Sequence, residues 1–423
     1  MDLLAAFLKH RRVSTDTRTV QPGDLFFALK GERFDGNQYA SQALDAGAAW
    51  AIVDDATVAV DDRFVLVDDV LTALQDLARA YRRQHSATFI GLTGSNGKTT
   101  TKELMRDVLA STYHTQATRG NLNNHIGVPL TLLEIAPEVE YAIIEMGANH
   151  QREIAQLSAI AEPDCGLITN IGEAHLEGFG GMKGVRIGKG ELFDFLAAHD
   201  RPGFVNVDLP PLADMAKEKG MRTIAYSLHA GNLNLNVQSH PTQLKFTWHH
   251  DGTVHEVLTQ LTGAYNRFNA AAAIAVGLHF KVTPEAISQA LRDYVPDNNR
   301  SQLAKSDRNT LILDAYNANP SSMTLALDNL AGLDGKVFFI IGGMRELGDT
   351  SNLAHQRICD HAKRLGLDGW LVGHEFEAAQ TNYPKFADAD AVREALASSS
   401  IEGHTVLIKG SRGIRLETVV DLL

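Results

Sequence analysis

Ile90-Gly91-Leu92-Thr93-Gly94-Ser95-Asn96-Gly97-Lys98-Thr99-Thr100-Thr101 is the stretch that decides the fold. A β-rich run over residues 87–92 breaks into a glycine-containing turn ending in Gly97-Lys98-Thr99, and a helical pattern follows from Lys102. Strand, glycine turn and helix in that order make a phosphate-binding loop. Glycines let backbone N–H groups close around phosphate oxygens, a lysine adds a point charge, and a hydroxyl suits Mg²⁺. Gly94, Asn96, Gly97, Lys98, Thr99 and Thr100 are therefore expected to hold a nucleoside triphosphate. The spacing departs from G-x-x-x-x-G-K-[ST]: Leu92 occupies the first glycine position, and Gly94 comes two places later. The competing reading is a glycine turn with a chance lysine, and the strand–loop–helix context weighs against it.

Composition bounds what surrounds this loop. A chain of 423 residues has room for roughly two to four domains, each burying its own core. Its 44% hydrophobic and 21% charged content is that of an ordinary soluble globular protein. A net charge of −12 weighs against a general nucleic-acid binder, so an anionic substrate needs locally placed cations. Cys165 and Cys359 make neither a disulfide framework nor a metal-ligand spacing, which fits a reducing cytoplasm. The apolar patch at 3–8 is short, and Lys9, Arg11 and Arg12 follow it, the wrong order for a signal peptide. No apolar run approaches the ~18 residues of a membrane span. A cytoplasmic protein without membrane insertion is expected, and nothing demands more than a monomer.

Strand and helix patterns divide the chain into three α/β units. Residues 1–83 contain strand-like segments at 24–29 and 49–53, a helix at 39–47, and a helix at 71–84 leading onward. Residues 84–298 alternate strands (89–93, 141–145, 165–170) with helices, the pattern of a mostly parallel sheet. A β-rich insert at 232–261 turns at Asp251-Gly252; His249, His250 and His255 beside that turn read as solvated strand residues. An alanine-rich helix spans 269–278. From 299 to 423 a second α/β unit follows, with strands at 311–315, 337–341, 370–372 and 406–408, similar to a small dinucleotide fold without its glycine fingerprint.

Several constellations carry chemistry. Glu145 ends an apolar strand, where a carboxylate beside a P-loop suits Mg²⁺; the alternative is a strand-end glutamate meeting solvent. His175 follows another apolar strand and suits a metal or a phosphate, against a structural histidine. Lys189 sits between Gly188 and Gly190, a position that otherwise reads as a surface lysine. Asn266 and Asn269, three apart, share a side; asparagine amides pair with a purine edge, and Asn266 alternatively caps the helix. Arg300 suits phosphate, and Asp314 at a strand end suits ribose hydroxyls. Asn317 and Asn319 offer donors and acceptors to a peptide, or serve as turn residues.

Taken together these segments resemble the Mur ligase family over nearly the whole chain. The resemblance rests on residues 93–100, Gly120-Asn121-Leu122-Asn123-Asn124, Glu145-Met146-Gly147-Ala148-Asn149-His150 and the stretch around His175. It continues through Lys189-Gly190-Glu191, residues 266–269, Arg300, residues 314–320 and Lys409-Gly410-Ser411-Arg412. The Glu-Met-Gly-Ala-Asn-His and Asn-Ala-Asn-Pro segments, with residues 24–36, point to the branch that adds D-alanyl-D-alanine. The resemblance implies a three-domain α/β architecture. A small N-terminal UDP-binding domain (1–83) would precede a central P-loop parallel-sheet ATPase domain (84–298). A Rossmann-like C-terminal domain (299–423) would receive the incoming dipeptide.

The resemblance also implies roles. Lys98 and the loop amides would hold the ATP β- and γ-phosphates. Thr99 and Glu145 would hold one Mg²⁺, and His175 with a CO₂-modified Lys189 a second, since a free ammonium repels a dication that a carbamate oxygen ligates. Asn269 would contact adenine, Arg300 phosphate and Asp314 ribose. Arg18, Lys30 and Asp35 would bind the UDP moiety of UDP-N-acetylmuramoyl-tripeptide, and Asn317 and Asn319 would face D-alanyl-D-alanine. The implied reaction passes through an acyl phosphate inside closing domains, with hinges near 84 and 299. Tyr265 stands where relatives often have His, Ala315 where this branch often has Ser, and Gly343-Met344-Arg345-Glu346 replaces a more usual Asp-Met pair. Two competitors remain: a folate-polyglutamylating or amino-acid-polymer synthetase, and a nucleotide switch. Residues 14–36 and 314–320 weigh against the first. The second lacks an Asn-Lys-x-Asp base-reading motif.

Overall fold

The computed structural model describes residues 2–229, 233–297 and 299–423. Met1, the first residue of the β-rich insert (Asn232) and the expected boundary at Asn298 lie outside the described residues. The N-terminal unit is built on four parallel strands in the order Val13–Ser14, Leu25–Phe27, Trp50–Val53, Phe64–Leu66. An antiparallel ribbon, Lys30–Gly31 with Phe34–Asp35, projects from it.

Six parallel strands form the central sheet: Thr223–Tyr226, Gly203–Asn206, Cys165–Ile168, Thr88–Thr93, Tyr141–Glu145 and Thr115–Ala117. Such a sheet is covered on both faces, so its strands read as apolar runs. All five residues from Phe89 to Thr93 are buried, as are all four of Cys165–Ile168. The P-loop helix starts at Lys98, not at Lys102. Three successive β-branched threonines are modest helix formers and mask this start in the sequence. The alanine-rich helix Arg267–His279 lies against the P-loop helix. Its small side chains permit a close approach: a Cβ on Gly277 would sit 2.6 Å from Val108.

The C-terminal unit carries strands Gln302–Lys305, Thr310–Asp314, Thr405–Lys409, Val337–Gly342, Gly369–Val372 and Lys385–Phe386, parallel except for the first. The insert is the hairpin expected: Gln243–His250 and Thr253–Thr262 pair antiparallel around Asp251-Gly252, with Asn236–Gln238 alongside. The three histidines beside its turn are half-buried rather than solvated, and His255 stacks on buried Trp248 at 4.7 Å. The hairpin does not stay with the central sheet. Leu261 pairs with Gln302, so one nine-stranded sheet runs across the boundary near 299.

The two expected hinge regions are built differently. The helix Val70–Gln84 is tied to the central unit by buried Arg82, which donates to the Ala161 and Glu162 carbonyls at 3.1 and 2.8 Å and to Asp164 at 2.8 Å. Its guanidinium also lies 4.0 Å over the Phe89 ring. Near 299 the tie is lighter: the Leu261–Gln302 pair, the Thr262 N–H to Ser301 O bond at 3.1 Å, and the Tyr265–Ser301 hydroxyl contact at 3.0 Å. That last contact gives the Tyr265 hydroxyl a partner across the boundary.

Candidate active site

Strands Thr88–Thr93, Tyr141–Glu145 and Cys165–Ile168 deliver their carboxyl ends to one rim, where open α/β sheets bind ligands. The loop there turns on two glycines with φ of +144° at Gly94 and +77° at Gly97. A side chain at Gly94 would clash with the Thr169 hydroxyl, and a Cβ at Gly97 would lie 2.5 Å from Asn269 Oδ1. The rim holds the loop in shape. Asn170 accepts from the Asn96 N–H at 3.0 Å, Thr169 donates to the Asn96 carbonyl at 2.6 Å, and the Gly172 N–H reaches Ser95 Oγ at 2.9 Å.

Lys98 opens the helix and its Nζ donates to the Gly94 carbonyl at 2.9 Å. Burial, helped by Arg300, lowers its pKa, while Glu145 opposes the shift. An arriving triphosphate would add to the counter-charge that Glu145 supplies. Glu145 does not meet solvent; it is 1% exposed. Its Oε1 accepts from Asn123 Nδ2 at 2.8 Å and from the Thr99 hydroxyl at 3.4 Å, and its backbone N–H reaches Thr118 Oγ1 at 2.9 Å. Its Oε2 is buried with no hydrogen-bond partner. An orphaned carboxylate oxygen beside a hydroxyl is a hard oxygen donor set that fits Mg²⁺. No cluster of three His, Cys, Asp or Glu able to hold a metal occurs among the described residues. Mg²⁺ takes one or two protein oxygens and completes its shell with phosphate and water.

Lys189 is no surface lysine. It is 0% exposed on the helix Met182–Ala198, its Nζ donates to the Ala148 carbonyl at 2.9 Å, and it lies 4.9 Å from the Phe179 ring centre. Burial, with Lys98 adding to it, pushes its pKa well below the usual lysine value. As an amine it does not suit a dication; as a neutral nucleophile it suits CO₂. His175 lines the cavity with φ +53°, its Nδ1 paired with the Glu346 carboxylate of the C-terminal unit.

The C-terminal unit closes the other side. Asn319 caps the helix Pro320–Ala331 in a capping box with Ser322, and its Nδ2 donates to Asn96 Oδ1 at 2.7 Å. Asp314 pairs with Lys409, itself 2% exposed, at 2.6 Å, and Lys409 also donates to the Asn317 carbonyl at 3.1 Å. Arg300 lies 3.7 Å over the Tyr316 ring. Between the units is a cavity of ≈ 580 Å³ lined by Asn96, Gly97, Lys98, Thr100, Glu145, His175, Asn269, Arg300, Asp314, Asn317 and Asn319.

Most of the expected site residues thus converge. Gly94 and Thr99 sit just behind the lining, and Lys189 is buried under Ala148. Asn269 uses its carbonyl to accept from Thr101 at 3.0 Å and its amide to reach Asn266 at 2.7 Å, so part of its pairing capacity is spent bracing the loop. Asn266 makes no side-chain cap; its amide donates to the Thr262 carbonyl at 2.6 Å. Arg18, Lys30 and Asp35 lie in the N-terminal unit and do not line this cavity. They pair with Asp16 at 2.6 Å, Asp54 at 2.8 Å and the Asn37 amide at 2.8 Å. Asn123, Thr169, Asn170 and Lys409 carry no role in the sequence reading. The signal for Asn123 was its glycine–asparagine cluster near a strand end; Lys409 ends the strand beside Asp314.

Comparison with known proteins agrees with this geometry. Residues 10–82 match the Mur ligase family catalytic domain, 92–277 the Mur ligase middle domain, and 299–412 the Mur ligase glutamate ligase domain. The UDP-N-acetylmuramoyl-tripeptide–D-alanyl-D-alanine ligase of Escherichia coli K12 is 39% identical over 97% of this chain and 93% of its own length. Crystal structure I of MurF from Acinetobacter baumannii superposes with a TM-score of 0.88 at 32% identity, covering 97% of this chain and 93% of that one. MurF ligase from Thermotoga maritima in complex with ADP gives 0.89 at 28% identity, covering 100% and 98%.

Proposed function

We propose a function from one premise: the chain belongs to the Mur ligase family. It is an ATP-dependent ligase that joins D-alanyl-D-alanine to UDP-N-acetylmuramoyl-tripeptide, a step in peptidoglycan precursor synthesis. The observation that carries this is the cavity between the P-loop and the C-terminal unit, where Lys98, Glu145, Arg300 and Asp314 meet. In this reading residues 1–83 bind the UDP end through Arg18, Lys30 and Asp35. Residues 84–298 bind ATP, and 299–423 receive the dipeptide through Asn317 and Asn319. The protein works as a cytoplasmic monomer, without nucleic acid or membrane insertion; no helix among the described residues is long and apolar enough to cross a membrane.

The parts divide the chemistry. The loop amides and Lys98 hold the β- and γ-phosphates, with Arg300 on phosphate, Asp314 on ribose and Asn269 at the adenine. Thr99 and Glu145 hold one Mg²⁺, and His175 with carbamylated Lys189 a second. When bound, these ions offset the charge of a carboxylate meeting a triphosphate. The terminal carboxylate of the tripeptide attacks the γ-phosphorus, the bond to the ADP oxygen breaks, and an acyl phosphate forms. The dipeptide amine then attacks the carbonyl carbon. Phosphate leaves with the carbonyl–oxygen bond pair, and the nitrogen sheds its proton. Lys98 stabilises the charge that builds on the transferring phosphoryl group. Closure excludes the water that would hydrolyse the acyl phosphate.

This route makes a labelling prediction. With heavy oxygen in the acceptor carboxylate, one labelled atom appears in the released phosphate for each amide formed, as read by mass spectrometry. Unlabelled phosphate would contradict the acyl-phosphate route.

A further inference from the structure

The contact between His175 and Glu346 joins two units far apart in sequence. Glu346 sits in the turn after the strand Val337–Gly342, and its neighbours pin that turn. The Met344 N–H donates to Nε2 of fully buried His355 at 2.9 Å, and the Arg345 N–H donates to Ser411 Oγ at 3.2 Å. The turn lies on the segment that carries His175: the Glu177 N–H approaches the Glu346 carbonyl at 3.3 Å. Both partners occupy left-handed backbone, φ +53° at His175 and +61° at Glu346, which non-glycine residues seldom adopt. A carboxylate on Nδ1 requires a proton there. In the neutral ring that leaves the Nε2 lone pair free, and His175 lines the cavity.

We propose that Glu346 is a positioning residue: it holds the Nδ1–H of His175 so that Nε2 is presented as a metal ligand, and it does so from the C-terminal unit. Carboxylate–histidine–metal chains of this kind fix the tautomer and the ring orientation of the ligating histidine. Here the carboxylate arrives with a different unit from the histidine. The second metal position is therefore completed by closure. Other contacts between the two units do not involve Glu346: Asn319 with Asn96, Ser321 Oγ accepting from the Glu173 N–H at 3.0 Å, and Arg357 with Glu173 at 3.8 Å. The proposal rests on the reading of His175 as a ligand of a second divalent ion.

The test is Mn²⁺ binding followed by electron paramagnetic resonance on the whole protein, with a non-hydrolysable ATP analogue and UDP-N-acetylmuramoyl-tripeptide present. The wild type binds two Mn²⁺. Glu346→Ala leaves the first and weakens the second by about tenfold or more. Glu346→Gln, which keeps an acceptor, loses less. On a His175→Ala background Glu346→Ala adds no further loss, because the two residues act through one site. Solution scattering shows the same closed dimensions for Glu346→Ala and wild type. Unchanged affinity for the second Mn²⁺, full additivity with His175→Ala, or opening of Glu346→Ala with the analogue bound would each overturn the proposal. A wild type that binds one Mn²⁺ would overturn the two-metal reading along with it.

Discussion

Lys189→Ala loses ligase activity by about 10³-fold, and a small carboxylate such as formate restores part of it. The expectation follows from where the amine sits. A wholly buried ammonium with one carbonyl partner and an aromatic face is poorly compensated, so burial shifts Lys189 toward its neutral form. A neutral amine can take up CO₂ and become an anionic oxygen donor. Alanine removes both the amine and the carbamate, leaving space into which an exogenous carboxylate can bring the missing oxygens. The rescue separates chemistry from folding, because a misfolded variant gains nothing from formate. Steady-state ADP release with and without formate reads the outcome. Full activity of Lys189→Ala would sink the carbamate.

Lys98→Ala lowers kcat by about 10³-fold, the size expected when one preorganised donor to a developing charge is removed. Its fold should survive. The ammonium is half-buried at the cavity wall and donates to a single carbonyl, that of Gly94, so its loss leaves the packed core untouched. The apo variant is therefore expected to melt close to the wild-type temperature, while ATP raises that temperature less than in wild type. Calorimetry with and without Mg-ATP reads both effects. Undiminished kcat in a folded sample would remove Lys98 from the phosphoryl transfer.

These two residues also mark what a sequence can disclose. The P-loop was legible because its chemistry is local: strand, glycines, lysine and threonine lie within twelve consecutive positions. Lys189 was not legible from its neighbours. Glycines flank it at Gly188 and Gly190, and only the packed helix, with Phe179 against Gly188, shows that it faces inward. Asn123, Thr169 and Asn170 act through bonds to residues 22 to 74 positions away, distances at which a pattern carries no register. The same limit applies to the insert. Its hairpin was readable from Asp251-Gly252, but its union with the C-terminal sheet depends on Leu261 meeting Gln302, a long-range pairing. Asn269 shows the converse: the amide proposed for a purine edge also braces the loop through Thr101 and Asn266.

The most direct measurement is ADP release with UDP-N-acetylmuramoyl-tripeptide, with and without D-alanyl-D-alanine, together with the mass of the product. Turnover is expected to depend on the dipeptide, with a product heavier than the acceptor by one dipeptide less water. A folded, ATP-binding protein that releases no ADP with either the lysine or the diaminopimelate form of the acceptor would contradict it.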